Sequence, residues 1–159
     1  MNRQARDTHD YLPIAKYLSH RGYALLLDRV IEASANRILC AVALRENSPF
    51  CREGRVPAYI GIEYMAQAAG ALIGWGAYTE DVSPRIGFLV SVRKFTSMVD
   101  GFAAGTTLMV EAREVIRDND SGLGTMACAI YHPADVLIAR TQLTAYMPKD
   151  LKAFSTVLK

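Results

Sequence analysis

Hydrophobic and polar positions change their period several times along the chain, and each change marks an element. Residues 11–18 place Tyr11, Leu12, Ala15 and Leu18 at near-helical spacing, which predicts one or two helical turns. Residues 23–30 (YALLLDRV) and 37–44 (RILCAVAL) are rich in branched apolar side chains and are separated by the small polar stretch EASAN, the signature of an antiparallel strand pair. Past Pro49, Gly54 and Pro57 the alternation stops. Residues 59–78 read YIGIEYMAQAAGALIGWGAY, with Glu63 as the only charge, and predict a long apolar helix. Four strand-like runs follow, at 86–98, 106–117, 124–131 and 136–146, with turn chemistry between them in DGFAAG, DNDSG and HPAD. Connections this short favour an antiparallel sheet over parallel crossover units.

A helix with no polar face must be enclosed on nearly all sides. A membrane span satisfies that demand in principle, since about twenty apolar residues cross a bilayer and Gly70 and Gly74 have the spacing of a helix-pairing motif. Glu63 would then sit in hydrocarbon, and the strands on either side alternate as a soluble sheet does. The expected arrangement is therefore an α+β domain, an antiparallel sheet of about six strands curved around a central helix. Ala66, Ala68, Ala69, Gly70, Ala71 and Gly74 are small enough for close backbone approach. Burying Ile60, Ile62, Met65, Leu72, Ile73 and Trp75 contributes on the order of 1.5–3 kcal/mol each. Such a sheet leaves an open edge, for which a dimer is the natural completion.

Composition narrows this picture. At 159 residues, 51% hydrophobic and 21% charged, the chain has the size of one domain, taken here as 1–159, and shows no linker, repeat or low-complexity run. Eighteen Lys and Arg against sixteen Asp and Glu give a formal charge of +2, which does not suggest a nucleic-acid surface. Cys40, Cys51 and Cys128 are scattered and odd in number, and the charged opening stretch lacks the apolar core of a secretory signal, so a reducing cytoplasm is expected. No metal-ligand cluster is evident, nor is a phosphate-binding glycine loop, since Gly122 and Gly124 read as turn residues.

Glu63 does not fit an ordinary core. An acid in a first helical turn is stabilised by the helix dipole, and that is its bland explanation. In an enclosed helix a carboxyl must be paired, hydrogen-bonded or protonated, and in an apolar cleft it has the character of a general acid. Gln67, one turn on, shares its face. Of the histidines, His9 lies in a charged leader and His132 at a strand end before Pro133. His20 occupies a loop, SHRG, where a side chain can be aimed, although capping or packing would also explain it.

LSHRGYALLLDRVIE at 18–32, NSPF at 47–50 and GIEYMAQAAGAL at 61–72, in that order, resemble the hotdog-fold 3-hydroxyacyl-[acyl carrier protein] dehydratases. GFLVSVRKFTSMVDGFAAGTTLMVEA at 87–112 is similar to that family's third and fourth strands, so the resemblance covers most of the chain. It implies a dimeric hotdog fold and dehydration of a 3-hydroxyacyl thioester to a trans-2-enoyl thioester. It implies no cofactor of the enzyme's own, the substrate being carried on the phosphopantetheine of an acyl carrier protein. Glu63 matches the family's helix acid, which acts with a loop histidine across the subunit boundary.

That loop histidine is missing: the interval reads CREGRVPAYIGI and holds no histidine. The divergent dehydratase-like branch of bacterial aryl polyene pigment clusters is a closer likeness, sharing the GIEYMAQ helix start and a histidine in the first-strand loop. His20 matches the histidine of the family's Leu-Pro-His-Arg stretch and is expected to replace the missing base, or at least to orient the substrate. By the same resemblance Pro57 and Ala58 match the family's Pro-Gly before the helix, making the Ala58 N–H the expected donor to the thioester carbonyl, with Gly61 and Gln67 at the substrate. Arg21, Arg85, Arg93 and Lys94 are candidates for meeting an acidic carrier protein. Two alternatives stay open: an acyl-thioesterase in which the helix carboxylate activates water, and a non-catalytic acyl-binding subunit paired with an active dehydratase. Expected partners are the carrier protein and a second subunit, whether a copy of this chain or a paired dehydratase, with neither nucleic acid nor a membrane span.

Overall fold

Alternate residues of four strands point inward and close over one helix. The computed structural model describes residues 11–82 and 86–150. Strands β1 (Arg29–Ser34), β2 (Arg37–Ala43), β4 (Phe88–Ser97), β6 (Thr107–Asp118), β7 (Leu123–His132) and β8 (Val136–Tyr146) form a six-stranded antiparallel sheet in the order β1-β2-β6-β7-β8-β4. Two further strands, β3 (Arg55–Pro57) and β5 (Gly101–Ala103), pair with each other, and α1 (Gly61–Thr79) follows β3. On the inner face lie Ile38, Cys40 and Val42 of β2, Val110 and Ala112 of β6, and Met126, Cys128 and Ile130 of β7, all buried at the period of two that a pleated strand imposes. They pack on Tyr64, Met65, Ala68 and Leu72 of α1. The expected α+β hotdog architecture is present in one chain.

Several expectations need correction. The predicted helix over 11–18 is one 3-10 turn, Ile14–Lys16, begun at Pro13, after which Tyr17 and Leu18 drop onto α1. The first strand starts at Arg29 rather than residue 23, and three of the five presumed linker residues, Glu32 to Ser34, are paired strand. The leucines before it are held otherwise: the Leu26 N–H donates to a side chain of α1, so the segment is fixed without a strand partner. The DGFAAG turn contains β5, whose three residues are too few to show a period.

The helix is also less enclosed than expected. Met65 and Leu72 are buried, whereas Ile60, Ile62, Ile73 and Trp75 are only half-buried. Within one chain, the face carrying Ile62, Glu63, Ala66, Gly70 and Ile73 is half covered. Among the described residues no helix is long and apolar enough to cross a membrane.

Candidate active site

The half-covered face of α1 carries the candidate acid, Glu63. Glu63, Ala66, Gly70, Ile73 and Gly74 recur at three- and four-residue intervals, which puts them in line along the helix. Residues 15–21 cross over this line. The crossing needs glycine at 74, because a Cβ there would come within 1.9 Å of the Tyr17 carbonyl oxygen. The Tyr17 ring also meets Tyr78 edge-on, with centroids 5.9 Å apart. Arg21 then fixes the loop, donating from Nη1 to the carbonyls of Leu18 at 2.6 Å and His20 at 2.7 Å.

This crossing brings His20 over Glu63. The two face each other with Nε2 3.7 Å from Oε1, at the side of a cavity of about 460 Å³. The helix forms its floor, residues 15–21 its roof, and Leu89, Met126, Leu143 and Ala145 its strand wall. Its size is that of a small-molecule site. The His20 Nδ1 is enclosed and has no hydrogen-bond partner among the described residues, leaving Nε2 as the nitrogen directed at Glu63. The resemblance implied a pair shared between subunits, but here both side chains belong to one chain.

Glu63 is not sealed in the core. Its side chain is 47% exposed and that of His20 37%, because the start of α1 lies under the open end of the crossing segment. What holds the carboxylate is Gln67, which is 1% exposed and fully engaged. Its Oε1 accepts the Leu26 N–H at 2.9 Å, and its Nε2 donates to the Ala24 carbonyl at 2.7 Å and to Glu63 Oε1 at 2.9 Å. Only one orientation of the amide satisfies all three, since two partners are acceptors and one is a donor. Gln67 thus ties the Glu63-bearing face of the helix to the segment entering β1.

The other expected site residues lie elsewhere. The N–H of the buried Ala58, which opens a 3-10 turn, donates to the Asp100 carbonyl at 3.0 Å, so it is not a free donor for a thioester. Gly61 is a packing glycine: a Cβ would approach Ile130 Cδ1 to 2.9 Å. Neither lines the cavity. Arg93 and Lys94 are exposed on β4, Lys94 at a bulge with φ of 54°. His132 ends β7, and its ring nitrogen Nδ1 lies 3.2 Å from the Pro133 carbonyl oxygen. His9 and Arg85 lie outside the described residues. Among the described residues no group of three metal-ligating side chains comes together. The strand wall and the roof were not foreseen as site, although the alternation of β7 and β8 already placed Met126 and Leu143 inward.

Comparisons with known proteins bear on the fold and the family. A family model described as ApeP-like, ApeP dehydratase, matches residues 12–156. Over 89 residues the chain is 33% identical to the 3-hydroxyacyl-[acyl-carrier-protein] dehydratase FabZ of Anaeromyxobacter dehalogenans, covering 52% of this chain and 57% of that protein. The chain thus spans little more than half the length of the curated relatives it matches. Among solved structures it superposes on a chain of the dehydratase heterocomplex ApeI:P from Xenorhabdus doucetiae with a TM-score of 0.85 at 27% identity, covering 94% of this chain and 99% of that one. A hypothetical thioesterase from Streptococcus pneumoniae, with coenzyme A, has a TM-score of 0.60 at 9% identity, covering 76% and 84%, and shares the fold alone.

Proposed function

The chain belongs to the ApeP-like dehydratase family, and from that premise we propose that it removes water from 3-hydroxyacyl thioesters held on an acyl carrier protein, giving trans-2-enoyl thioesters in fatty-acid- or polyene-type assembly. One observation carries the assignment of roles: an imidazole and a carboxyl 3.7 Å apart beside an apolar cavity. Nε2 of His20 takes the proton from C2. The C2–H electron pair becomes the C2=C3 double bond as the C3–O bond breaks. Glu63, as the general acid, gives a proton to the departing hydroxyl, which leaves as water. The reaction ends with a protonated imidazole beside a carboxylate, and transfer between these neighbours, directly or through one water, restores the starting state.

Gln67 serves as a positioning residue, holding Oε1 of Glu63 from the helix side. The cytoplasm suits the proposal, since Cys40, Cys51 and Cys128 are unpaired thiols.

A second subunit completes the molecule in this reading. Strand β4 ends the sheet, and Phe88, Leu89, Val90 and Val92 are exposed along it. Such an edge calls for a partner strand. The relative in the ApeI:P heterocomplex supports a paired dehydratase subunit as that partner, with a copy of this chain as the other assembly.

The test is incubation with a 3-hydroxyacyl carrier protein, alone and with a paired dehydratase subunit. Dehydration leaves an unsaturated chain on the carrier, whereas a thioesterase releases free acid. Glu63→Gln and His20→Ala are each expected to lower turnover by about 10²–10⁴-fold. Full activity in either variant refutes the assigned roles.

A further inference from the structure

The outer face of the sheet, turned away from α1, carries a second cavity, of about 630 Å³. Strand register fixes its plan. On β7 the outward residues Tyr131, Ala129 and Ala127 alternate with the buried Ile130, Cys128 and Met126. Ala129 lies between Glu111 of β6 and Arg140 of β8, and Ala127 between Arg113 of β6 and Gln142 of β8. The two alanines leave a trough whose walls stand on strands two apart, about 10 Å from each other, with a floor about 14 Å long from Tyr131 to Ala127. Leu137, paired with Tyr131, makes that end apolar.

The rest of the trough is cationic, lined by Lys94, Arg113 and Arg140. Lys94 and Arg140 have no carboxylate within ion-pair distance among the described residues, and Arg113 meets Glu111 Oε1 at 3.7 Å. Glu111 is held by Arg37, whose Nε donates to Oε2 at 2.6 Å, so Oε1 keeps capacity to accept. Lys94 joins the trough through a bulge between Arg93 and Thr96, where its φ of 54° is left-handed backbone that a lysine rarely adopts. The buried Thr141 locks the bulge, its hydroxyl donating to the Arg93 carbonyl at 2.9 Å. Three cations facing one shared acid leave a positive field that an anion would neutralise.

We propose that this trough is a binding site for a nucleoside 5′-diphosphate. The base lies on the Tyr131 ring and Leu137, since stacking needs only a π-face. The ribose hydroxyls donate to Oε1 of Glu111 at the level of Ala129. The two phosphates lie over the alanine floor, where the guanidinium forks of Arg113 and Arg140 and the ammonium of Lys94 meet their charge. A second copy of this chain does not suit the trough, because it would bring the same cations. The site is on the face of the sheet opposite to His20 and Glu63, so it stands independently of the dehydratase reading.

Calorimetry on the full-length protein tests this with ADP, UDP, adenosine and inorganic pyrophosphate. Both nucleotides are expected to bind, with pyrophosphate about tenfold weaker and adenosine weaker still. Arg140→Ala removes an exposed side chain and should lower affinity for both nucleotides by at least about tenfold, through loss of a charge-assisted hydrogen bond. The same variant should leave dehydration and the ligand-free unfolding midpoint unchanged. Tyr131→Leu should weaken the nucleotides and leave pyrophosphate as it was. Absence of binding by both nucleotides overturns the proposal. Pyrophosphate binding as tight as ADP and indifferent to Tyr131→Leu also overturns it, marking an adventitious ion only. An acidic carrier protein whose affinity falls in Arg140→Ala, while both nucleotides are ignored, overturns it in favour of a protein-docking face.

Discussion

Replacing Gln67 with leucine removes three hydrogen bonds while nearly keeping the volume, so cavity formation adds little to the cost. The Leu26 N–H is buried and would lose its acceptor, at about 1–3 kcal/mol. The Ala24 carbonyl belongs to an exposed residue and can turn to water, so its loss is nearer the net value of a hydrogen bond, about 0.5–1.5 kcal/mol. Together they predict a destabilisation of about 2–4 kcal/mol, which for a chain of this size lowers Tm by about 5–12 °C. Urea and thermal unfolding of Gln67→Leu measure it directly. Two of the three bonds do not involve Glu63, so the cost must persist in a Glu63→Ala background. Releasing Oε1 should also lower dehydration by about tenfold to a hundredfold through misplacement of the acid. A loss below 1 kcal/mol, or one that disappears in the Glu63→Ala background, would show that Gln67 does not anchor the segment entering β1.

Gly74→Ala forces the Tyr17 backbone off the helix and is expected to cost more than about 2 kcal/mol, with loss of activity from displacement of His20, checked by unfolding and turnover on the same preparation. Burial pushes the thiols of Cys40 and Cys128 up to about 12, so under native conditions at pH 8 an aromatic disulfide reagent should titrate the half-buried Cys51 and spare the other two until urea is added. Because both pKa values are raised in the folded state, the stability held by these neutral thiols is complete below the ordinary thiol value near 9 and is lost as pH climbs from there toward 12. Urea midpoints should fall more steeply over that window in the wild type than in Cys40→Ala. Val90, 58% exposed on the free edge, should tolerate glutamate as a folded chain but lose the second subunit, seen as a halved mass by light scattering.

What could be read from the residues followed their periodicity. The long uncharged stretch around Glu63 specified α1 to within two residues at each end, and the apolar runs specified five of the six main strands, β1 being misplaced. Elements of three residues, such as β3 and β5, carry no period and were missed. The 23–28 segment misled because its leucines are buried like a strand's, while one of its amides is satisfied by Gln67, a partner 41 residues away that no local pattern reveals. His20 and Glu63 could be chosen by chemistry, but their meeting depends on Gly74 admitting Tyr17, a contact between backbones. The Ala58 amide failed for a similar reason: its acceptor, the Asp100 carbonyl, is brought close by the β3–β5 pairing.

The placement of His20 and Glu63 on one polypeptide has a genetic consequence. In enzymes that assemble a centre from two protomers, mixing two differently disabled mutants regenerates one intact centre per mixed dimer. With the roles proposed for His20 and Glu63, a hybrid of His20→Ala and Glu63→Gln chains would contain two crippled centres and no whole one. Co-expression of the two alleles should therefore leave the cell as deficient as either allele alone.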